Sequence, residues 1–524
     1  MKTFLQRFGS KITGILSGFD RLRLRGTKRC LAYVGGMMGF LWRVQVLLKD
    51  FDRYVLGRTA ELCGAMEQAA REAQRPVLYL PSSNDSKEKV ARAIVERDGV
   101  REGLIAVLKC VEPCRSFGIY KNRETKKLEL RPQQRKCLHY YHYYLHPQLG
   151  FLHTRLQTWF PFTMQICLNG REWLTRQLDQ AGVGYVRQAN CIVAVEDLAK
   201  AQALLHEQTR VNWPKLLDEL ARRSNPLEPS LLGETVVPYY WSVDQSEWAT
   251  DILFRSVADL QALYPRLLRH GIDSLHCRDV LRFLGQRLTQ AGEVPGWFHG
   301  EVTTDLKERP EGMRLMHRVD HNSVKMYDKA YTAVGAALRL EATINDVTDF
   351  KAYRTKEGDE QGEKAWRPLR KGIADLHRRA EVSHQATERY AESLATLEDR
   401  TPLGELAEPL CQPVTWQGQR VRALNPLAAE DAALLEAVNR GEFLLNGFRN
   451  RDLRALLFPA ATTPAETKRQ SAAVSRKLRM LRAHGLIEKV CKTYRYRLSA
   501  KGRTAIAALL ASRQADTAKL TQVA

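Results

Sequence analysis

The sequence predicts an α+β protein of several domains, with a strand-and-helix core followed by a small basic domain at its C-terminal end. Three observations carry this. At 524 residues the chain has room for about three or four domains, and a 44% hydrophobic content supplies cores for them. Strand-like and helix-like stretches alternate through residues 76–214, and a three-strand pattern returns at Met313–Asn345. The charge is lopsided: 81 Lys and Arg face 59 acids, a formal net charge of +22. An excess of that size favours a polyanionic partner, with nucleic acid ahead of a membrane surface.

Residues 1–75 read as mostly helical, with a strand at Asp20–Arg25, where Leu22 and Leu24 alternate with arginines. Asp20 fits either a metal-binding carboxylate at a strand edge or a turn cap. Lys2, Arg7 and Lys11 interrupt any apolar run, so no signal peptide is expected. Leu31–Trp42 is apolar but shorter than the roughly 20 residues that span a bilayer, and reads as a buried helix. No membrane partner is expected. Ten cysteines lie scattered without a disulfide framework, which points to a reducing cytoplasm. Cys110, Cys114, Cys137 and His139 lack the paired Cys-x-x-Cys spacing of a zinc site, so zinc is not expected.

Residues 76–214 open as strand, helix, strand at Pro76–Leu80, Lys87–Asp98 and Leu104–Lys109. The loop Ser82–Ser86 lacks the glycines of a phosphate cradle, so no nucleotide site is assigned. An antiparallel pair follows at Leu138–His146 and Phe151–Leu168, then a helix, a strand and a second helix. Strands with helices on one side suggest a ferredoxin- or RRM-like α/β core. The aromatics of His139–Trp159 fit two readings, base-stacking platforms for RNA or single strands and sheet core. His139, His142 and His146 are out of strand phase and read as scattered surface histidines.

Residues 215–300 read as a helical region. There Glu247 and Asp251, four apart, share one helix face, either as a metal-holding pair or as a solvated acidic face. Residues 301–400 hold the three-strand meander and a long charged helix. Strand alternation puts Lys325, Tyr327, Arg339 and Glu341 on one polar face. That is the group set of an enzyme that nicks a phosphodiester: a tyrosine to attack, a carboxylate for a metal, bases to steady phosphate. The alternative is a cross-strand charge network on a solvated face. Asp328 is out of phase and joins only if the strand ends or bulges there. The candidate ligands for Mg²⁺ or Mn²⁺ are Glu341, Asp328, Asp251 and Glu247. No internal repeat is visible.

Residues 401–424, with Pro402, Pro409 and Pro413, read as a linker carrying a small hairpin at Val414–Val421. Residues 425–524 form the sharpest pattern. Helices are expected at Ala433–Asn439, at Arg451–Phe458 with Asn450 as N-cap, and at Glu466–His484, closed by Gly485. Val474, Leu478 and Leu481 make an apolar stripe on the third helix. Two strands around Cys491–Thr493 and a helix capped by Ser499 complete a winged helix-turn-helix. Between Ala465 and Arg503 stand twelve Lys or Arg and two acids. Lys468, Arg469, Ser475, Arg476, Arg479 and Arg482 are placed to enter a major groove, and Lys492, Arg495 and Arg497 to neutralise phosphates from the wing. A basic winged helix that packs against protein is the alternative.

This C-terminal stretch resembles the winged-helix domains of MarR-like bacterial regulators. Ser17–Thr27, Cys110–Trp173, Tyr239–Phe254 and Asn322–Arg354 resemble a family of long bacterial proteins of uncharacterised activity, often present in several copies per genome, which implies a mobile element. Tyr327-Asp328-Lys329 with Leu338–Glu341 is similar to the strand pair of plasmid rolling-circle replication initiators, which nick DNA through a tyrosine with metal help. The expectation is a cytoplasmic nucleic-acid-binding protein, most readily DNA-binding, either a nicking, initiation or transposition enzyme or a non-catalytic regulator or RNA scaffold. A homodimer is compatible with either.

Overall fold

A computed structural model describes residues 1–228, 232, 237–285, 294, 296, 298–309, 312–332, 335–348, 350–356, 358–359, 361–395, 403–440, 443, 447–490 and 493–514. It is a mixed α/β structure that divides into two compact units. One comprises Phe8–Leu260 and Val280–Tyr390; the other comprises Lys2–Arg7, Gln261–Asp279 and Ala391–Ala524. Among the described residues, no helix is long and apolar enough to cross a membrane.

In chain order the elements up to Leu394 are α1 (Lys2–Phe8), β1 (Ile12–Thr27), α2 (Val34–Arg43), α3 (Phe51–Glu72), β2 (Val77–Tyr79), α4 (Lys87–Asp98), β3 (Gly103–Lys121), β4 (Leu128–His146), β5 (Gly150–Gln157), β6 (Met164–Asn169), α5 (Gly170–Gln180), β7 (Tyr185–Gln188), β8 (Cys191–Val195), α6 (Leu198–Glu207), α7 (Trp213–Ser224), β9 (Tyr240–Phe254), α8 (Val257–Ser274), α9 (Cys277–Phe283), β10 (Val302–Arg309), β11 (Gly312–Val319), β12 (Asn322–Thr332), β13 (Gly335–Ile344) and α10 (Leu376–Leu394). A β14–β15 pair, Lys351–Arg354 with Ala365–Pro368, lies between β13 and α10.

Eleven strands make one sheet in the order β10-β11-β12-β13-β9-β1-β6-β5-β4-β3-β2. The order reads alike outward from the antiparallel β1–β9 seam. On one side β3 to β6 form a meander whose last strand returns to β1; on the other β10 to β13 form a meander whose last strand returns to β9. The architecture is thus duplicated although the sequence shows no repeat. Strands from residues 1–75, 76–214, 215–300 and 301–400 join this single sheet, and among the described residues only β2–β3 is a parallel pair.

Two helical readings are corrected, the open choice for the aromatic run is decided as sheet core, and three histidines are moved from surface to interior. The mostly helical N-terminal region is organised around a 16-residue strand, β1. Its Gly14 and Gly18 hide the strand pattern, and they are small because α6 lies on them: a Cβ there would meet Leu198 or Leu205. Tyr239–Asp251, read within a helical region, falls from Tyr240 onward in strand β9, whose last nine residues are all buried. Covered on both faces, it shows no alternation to read. The aromatic run of β4 is core, not an exposed stacking platform. Tyr140 and Tyr144 join the large cluster with α2, α3 and α7, whereas Tyr141 and Tyr143 join Ile105, Leu108, Phe151 and α4. Three of the hydroxyls keep polar partners: Tyr140 and Tyr141 donate to Glu67 and Glu112 at 2.7 Å each, and Tyr144 donates to Arg223 O at 3.1 Å. His139, His142 and His146 are buried rather than on the surface, and burial pushes the His142 imidazole down to about 4.

The C-terminal elements have their own apolar cluster of Leu434, Leu435, Phe448, Leu453, Val474, Leu478, Leu481, Leu498 and Ile506. They run as a hairpin (Val414–Trp416 with Gln419–Val421), helices Ala429–Val438, Asn450–Leu457 and Pro464–Ala483, a strand pair (Ile487–Lys489 with Tyr496–Leu498), and the helix Ala500–Gln514. Thr463 caps the third helix through Glu466 N, and Gly485 at φ +72° closes it. Ser499 caps the last helix through Gly502 N at 2.9 Å. Asn450 is not a cap: Arg449 holds that position, and the Asn450 amide donates to Ser471 O and Ser475 Oγ.

Candidate functional site

The polar groups of the sheet converge where β1, β9, β13 and β12 lie side by side. Register pairs Tyr327 with Arg339 and Lys325 with Glu341 across β12–β13. It pairs Arg339 with Asp251 and Thr343 with Glu247 across β13–β9. Paired residues share a face, so Lys325, Tyr327, Arg339, Glu341, Asp251 and Glu247 stand on one side of the sheet. On β1 the register slips between Phe19 and Arg21. This bulge sends Asp20 to the same side as its neighbour Arg21. The carboxylate oxygens of Asp20, Glu247 and Glu341 all lie within 4.8 Å of one another.

Buried ion pairs hold this layer. Arg339 forks onto Asp251 with Nε–Oδ1 at 2.6 Å and Nη2–Oδ2 at 2.9 Å, and also donates to Asp20 Oδ1 at 3.1 Å and Asn190 O at 2.6 Å. Arg171, the second residue of α5, reaches the other side of Asp251 at 2.7 Å. Its helix can come that close because α5 begins at Gly170, where a Cβ would sit 1.6 Å from Phe19 O. Asn190, in the β7–β8 turn, donates to Asp20 Oδ1 at 2.7 Å. Lys325 donates to Glu341 Oε1 at 2.5 Å and to Thr343 Oγ1 at 2.8 Å. The open side is at Glu247, 9% exposed, with the half-exposed Arg21 guanidinium 3.9 Å away.

The electrostatics separate the carboxylates. Burial alone would raise Asp251, yet Arg339 and Arg171 hold it below its ordinary value. Burial would likewise raise Glu341, and the Lys325 ammonium overturns this. For Glu247, burial and then the Glu341 charge outweigh Lys325 and the Arg21 guanidinium 3.9 Å away, and its value is pushed up. Tyr327 is pushed up to about 12, first by burial and then by Glu341, with Lys325 and Arg314 opposing.

The structure therefore brings together Tyr327, Lys325, Arg339, Glu341 and Glu247. Asp251 sits in the layer but is occupied by two guanidiniums, and its place in the carboxylate trio is taken by Asp20. Asp328 pairs with Leu338 and faces the other side of the sheet, so the expected metal role is corrected: β12 does not bulge at that point. The charged network expected on a solvated face is instead buried; all ten residues of β13 are covered. Arg339, 1% exposed, positions Asp20 and Asp251 and presents no donor to solvent. An all-oxygen donor set suits a hard divalent cation such as Mg²⁺ or Mn²⁺.

The basic residues of the C-terminal unit are arranged differently. Lys468, Arg469, Ser475, Arg476 and Arg479 are exposed on the Pro464–Ala483 helix, and Arg482 is partly exposed. Arg479 donates to the Gln419 amide oxygen, and Arg482 stacks 5.0 Å from the centroid of the Trp416 ring. Arg469 lies 3.9 Å from Glu466. On the strand pair Arg497 lies 3.4 Å from Glu488, and Arg495 donates to Gly447 O. Lys492 lies outside the described residues. Comparison with protein-family models, with curated proteins and with solved structures finds no match to this chain.

Proposed function

We propose that this chain binds duplex DNA through a winged helix-turn-helix in its C-terminal unit, the Pro464–Ala483 helix entering the major groove and the Ile487–Leu498 ribbon following the backbone. The observation that supports it is the pairing of the helix cations. Lys468 and Arg476 make no ion pair among the described residues, and the described partners of Arg479 and Arg482 are neutral. Their charge stays available for phosphates. The sheet-face cluster extends the reading to DNA processing of the kind a mobile element needs. Asp20, Glu247 and Glu341 would hold Mg²⁺ or Mn²⁺, which would polarise a phosphodiester, with Tyr327 as nucleophile and Lys325 as the cation beside it.

Titration of a labelled duplex with Arg479→Ala/Arg482→Ala protein tests the binding reading, and unchanged affinity overturns it. Incubation with single-stranded and supercoiled DNA under Mg²⁺ or Mn²⁺ tests the chemical one. A metal-dependent nick, or an SDS-stable adduct lost in Tyr327→Phe, supports it; no cleavage under either metal leaves a regulator or RNA-binding scaffold. One observation favours that second reading. Lys325, Arg339 and Arg171 are already matched by carboxylates, and the Tyr327 hydroxyl is buried with its proton held firmly.

A further inference from the structure

The hairpin Val414–Val421, which the sequence assigns to a linker, is folded onto the basic helix. Its strands pair Trp416 with Gln419 across a two-residue tip. Gln417 at φ +49° and Gly418 at φ +72° put both tip residues in the left-handed backbone region that a tight two-residue hairpin turn requires. Trp416 lies under Arg482, and Gln419 accepts from Arg479. An indole face and an amide oxygen fix two guanidiniums without neutralising them.

Between hairpin and helix runs a cleft of about 420 Å³, with Trp416, Gln417, Gln419, Ser475, Arg479 and Arg482 in its wall. Among the described residues no carboxylate lines it. Its donors include two guanidiniums, two side-chain amides and the hydroxyls of Ser475 and Tyr496, a set for an anion with many acceptor oxygens. Beside it a second cleft of about 370 Å³ is lined by Arg420, Arg422, Arg476, Lys477 and Arg479. Among the described residues its one acid is Glu430, which is bound to Lys477. Cations and amides thus continue from the helix across the hairpin.

We infer that the Val414–Val421 hairpin is a second wing, and that the cleft between it and the Pro464–Ala483 helix holds the sugar–phosphate backbone of the duplex that the helix reads. This rests on the DNA-binding reading above and extends it to residues outside the winged helix. Pre-set arginines lose less side-chain freedom on binding than free ones do, which is what the Trp416 and Gln419 contacts supply.

The test uses the full chain and fluorescence anisotropy with a labelled duplex at moderate salt. Gln417→Glu with Gln419→Glu puts two carboxylates into the cleft. Thr415→Glu adds one on an exposed hairpin position outside the cleft wall. Lys468→Ala with Arg476→Ala removes helix charge away from the hairpin tip. All are checked for an unchanged thermal midpoint. The expected result is a loss of about tenfold or more for the cleft variant, a salt slope smaller by about one unit per lost phosphate contact, and near wild-type binding for Thr415→Glu. The inference is overturned, with the DNA-binding reading intact, if the cleft variant binds like wild type while the helix variant weakens. It is overturned equally if Thr415→Glu weakens as much as the cleft variant, because added negative charge alone then accounts for the loss. If neither helix nor cleft variant changes affinity, the DNA-binding reading falls with it.

Discussion

Arg339 in the sheet and Arg171 at the start of α5 lie fully buried with carboxylates on their guanidiniums; Arg479 and Arg482 on the Pro464–Ala483 helix rest against an amide and an indole. The two regions show two uses of one residue type. In the sheet the desolvation of each ion is offset only while its partner is present, so the network fixes geometry. On the helix the neutral partners fix the side chain and leave the charge unspent. The net charge of +22 does not distinguish these uses; the identity of each cation's partner does.

The largest effect that tests this contrast is on stability. Arg339→Ala leaves Asp20 and Asp251 each short of a buried partner, and the expected loss is about 3–5 kcal/mol in denaturant unfolding of the sheet unit. Arg479→Ala with Arg482→Ala should stay within about 0.5 kcal/mol per substitution, as surface changes do. A cost below about 1 kcal/mol for Arg339→Ala would break the contrast from the sheet side.

From the helix side the same double variant should weaken duplex binding more than about tenfold, roughly 1.4 kcal/mol or more, in a gel-shift titration at moderate salt. Arg339→Lys, if it folds, should leave that affinity alone.

Smaller is the effect of a divalent cation. Because the Glu247 carboxyl is raised, its contribution to folding is present below the ordinary carboxyl range and lost as pH rises through its folded-state value. A cation on Asp20, Glu247 and Glu341 competes with that proton. Mg²⁺ or Mn²⁺ should therefore raise the thermal midpoint by more as pH increases, and Glu247→Gln should remove the pH dependence of the increment. An increment independent of both pH and Glu247 would place the cation elsewhere.

The smallest free-energy change is expected for Tyr327→Phe, about 1 kcal/mol or less of stability for one hydroxyl. Its readout is chemical, the loss of any metal-dependent SDS-stable adduct.

The β12–β13 part of the cluster was legible because period-two alternation survives in Val324–Tyr327 and Leu338–Ile344, which placed Lys325, Tyr327, Arg339 and Glu341 on one face. Asp20 was visible as a carboxylate, but its partners were not, since a bulge defeats simple alternation. Glu247 and Asp251 were grouped correctly for the wrong reason: a spacing of four shares a face in a strand as well as in a helix. Arg171 and Asn190 join through tertiary packing alone, and no local pattern announces them. The Pro464–Ala483 helix was read to within two residues at each end because its closing glycine and apolar stripe agree, whereas the first helix starts four residues earlier than expected and Asn450 is not the cap of the second. The hairpin at Val414–Val421 was found, yet nothing local shows that it folds back onto the basic helix.

The seam between β1 and β9 has a consequence for synthesis. Its paired residues, from Thr27↔Tyr240 to Ile12↔Phe254, are separated by roughly 210–240 residues of chain, which a ribosome adds at about 5–20 per second, so β1 waits for roughly 10–50 s after it emerges. During that time β6 can cover only one of its edges. An open edge is a template for wrong partners unless charge or a kink blunts it. Arg21, Arg23 and Arg25 supply the charge, and the slip between Phe19 and Arg21 supplies the kink. The distortion that turns Asp20 toward the carboxylate trio thus guards the nascent strand before Glu247 has been made.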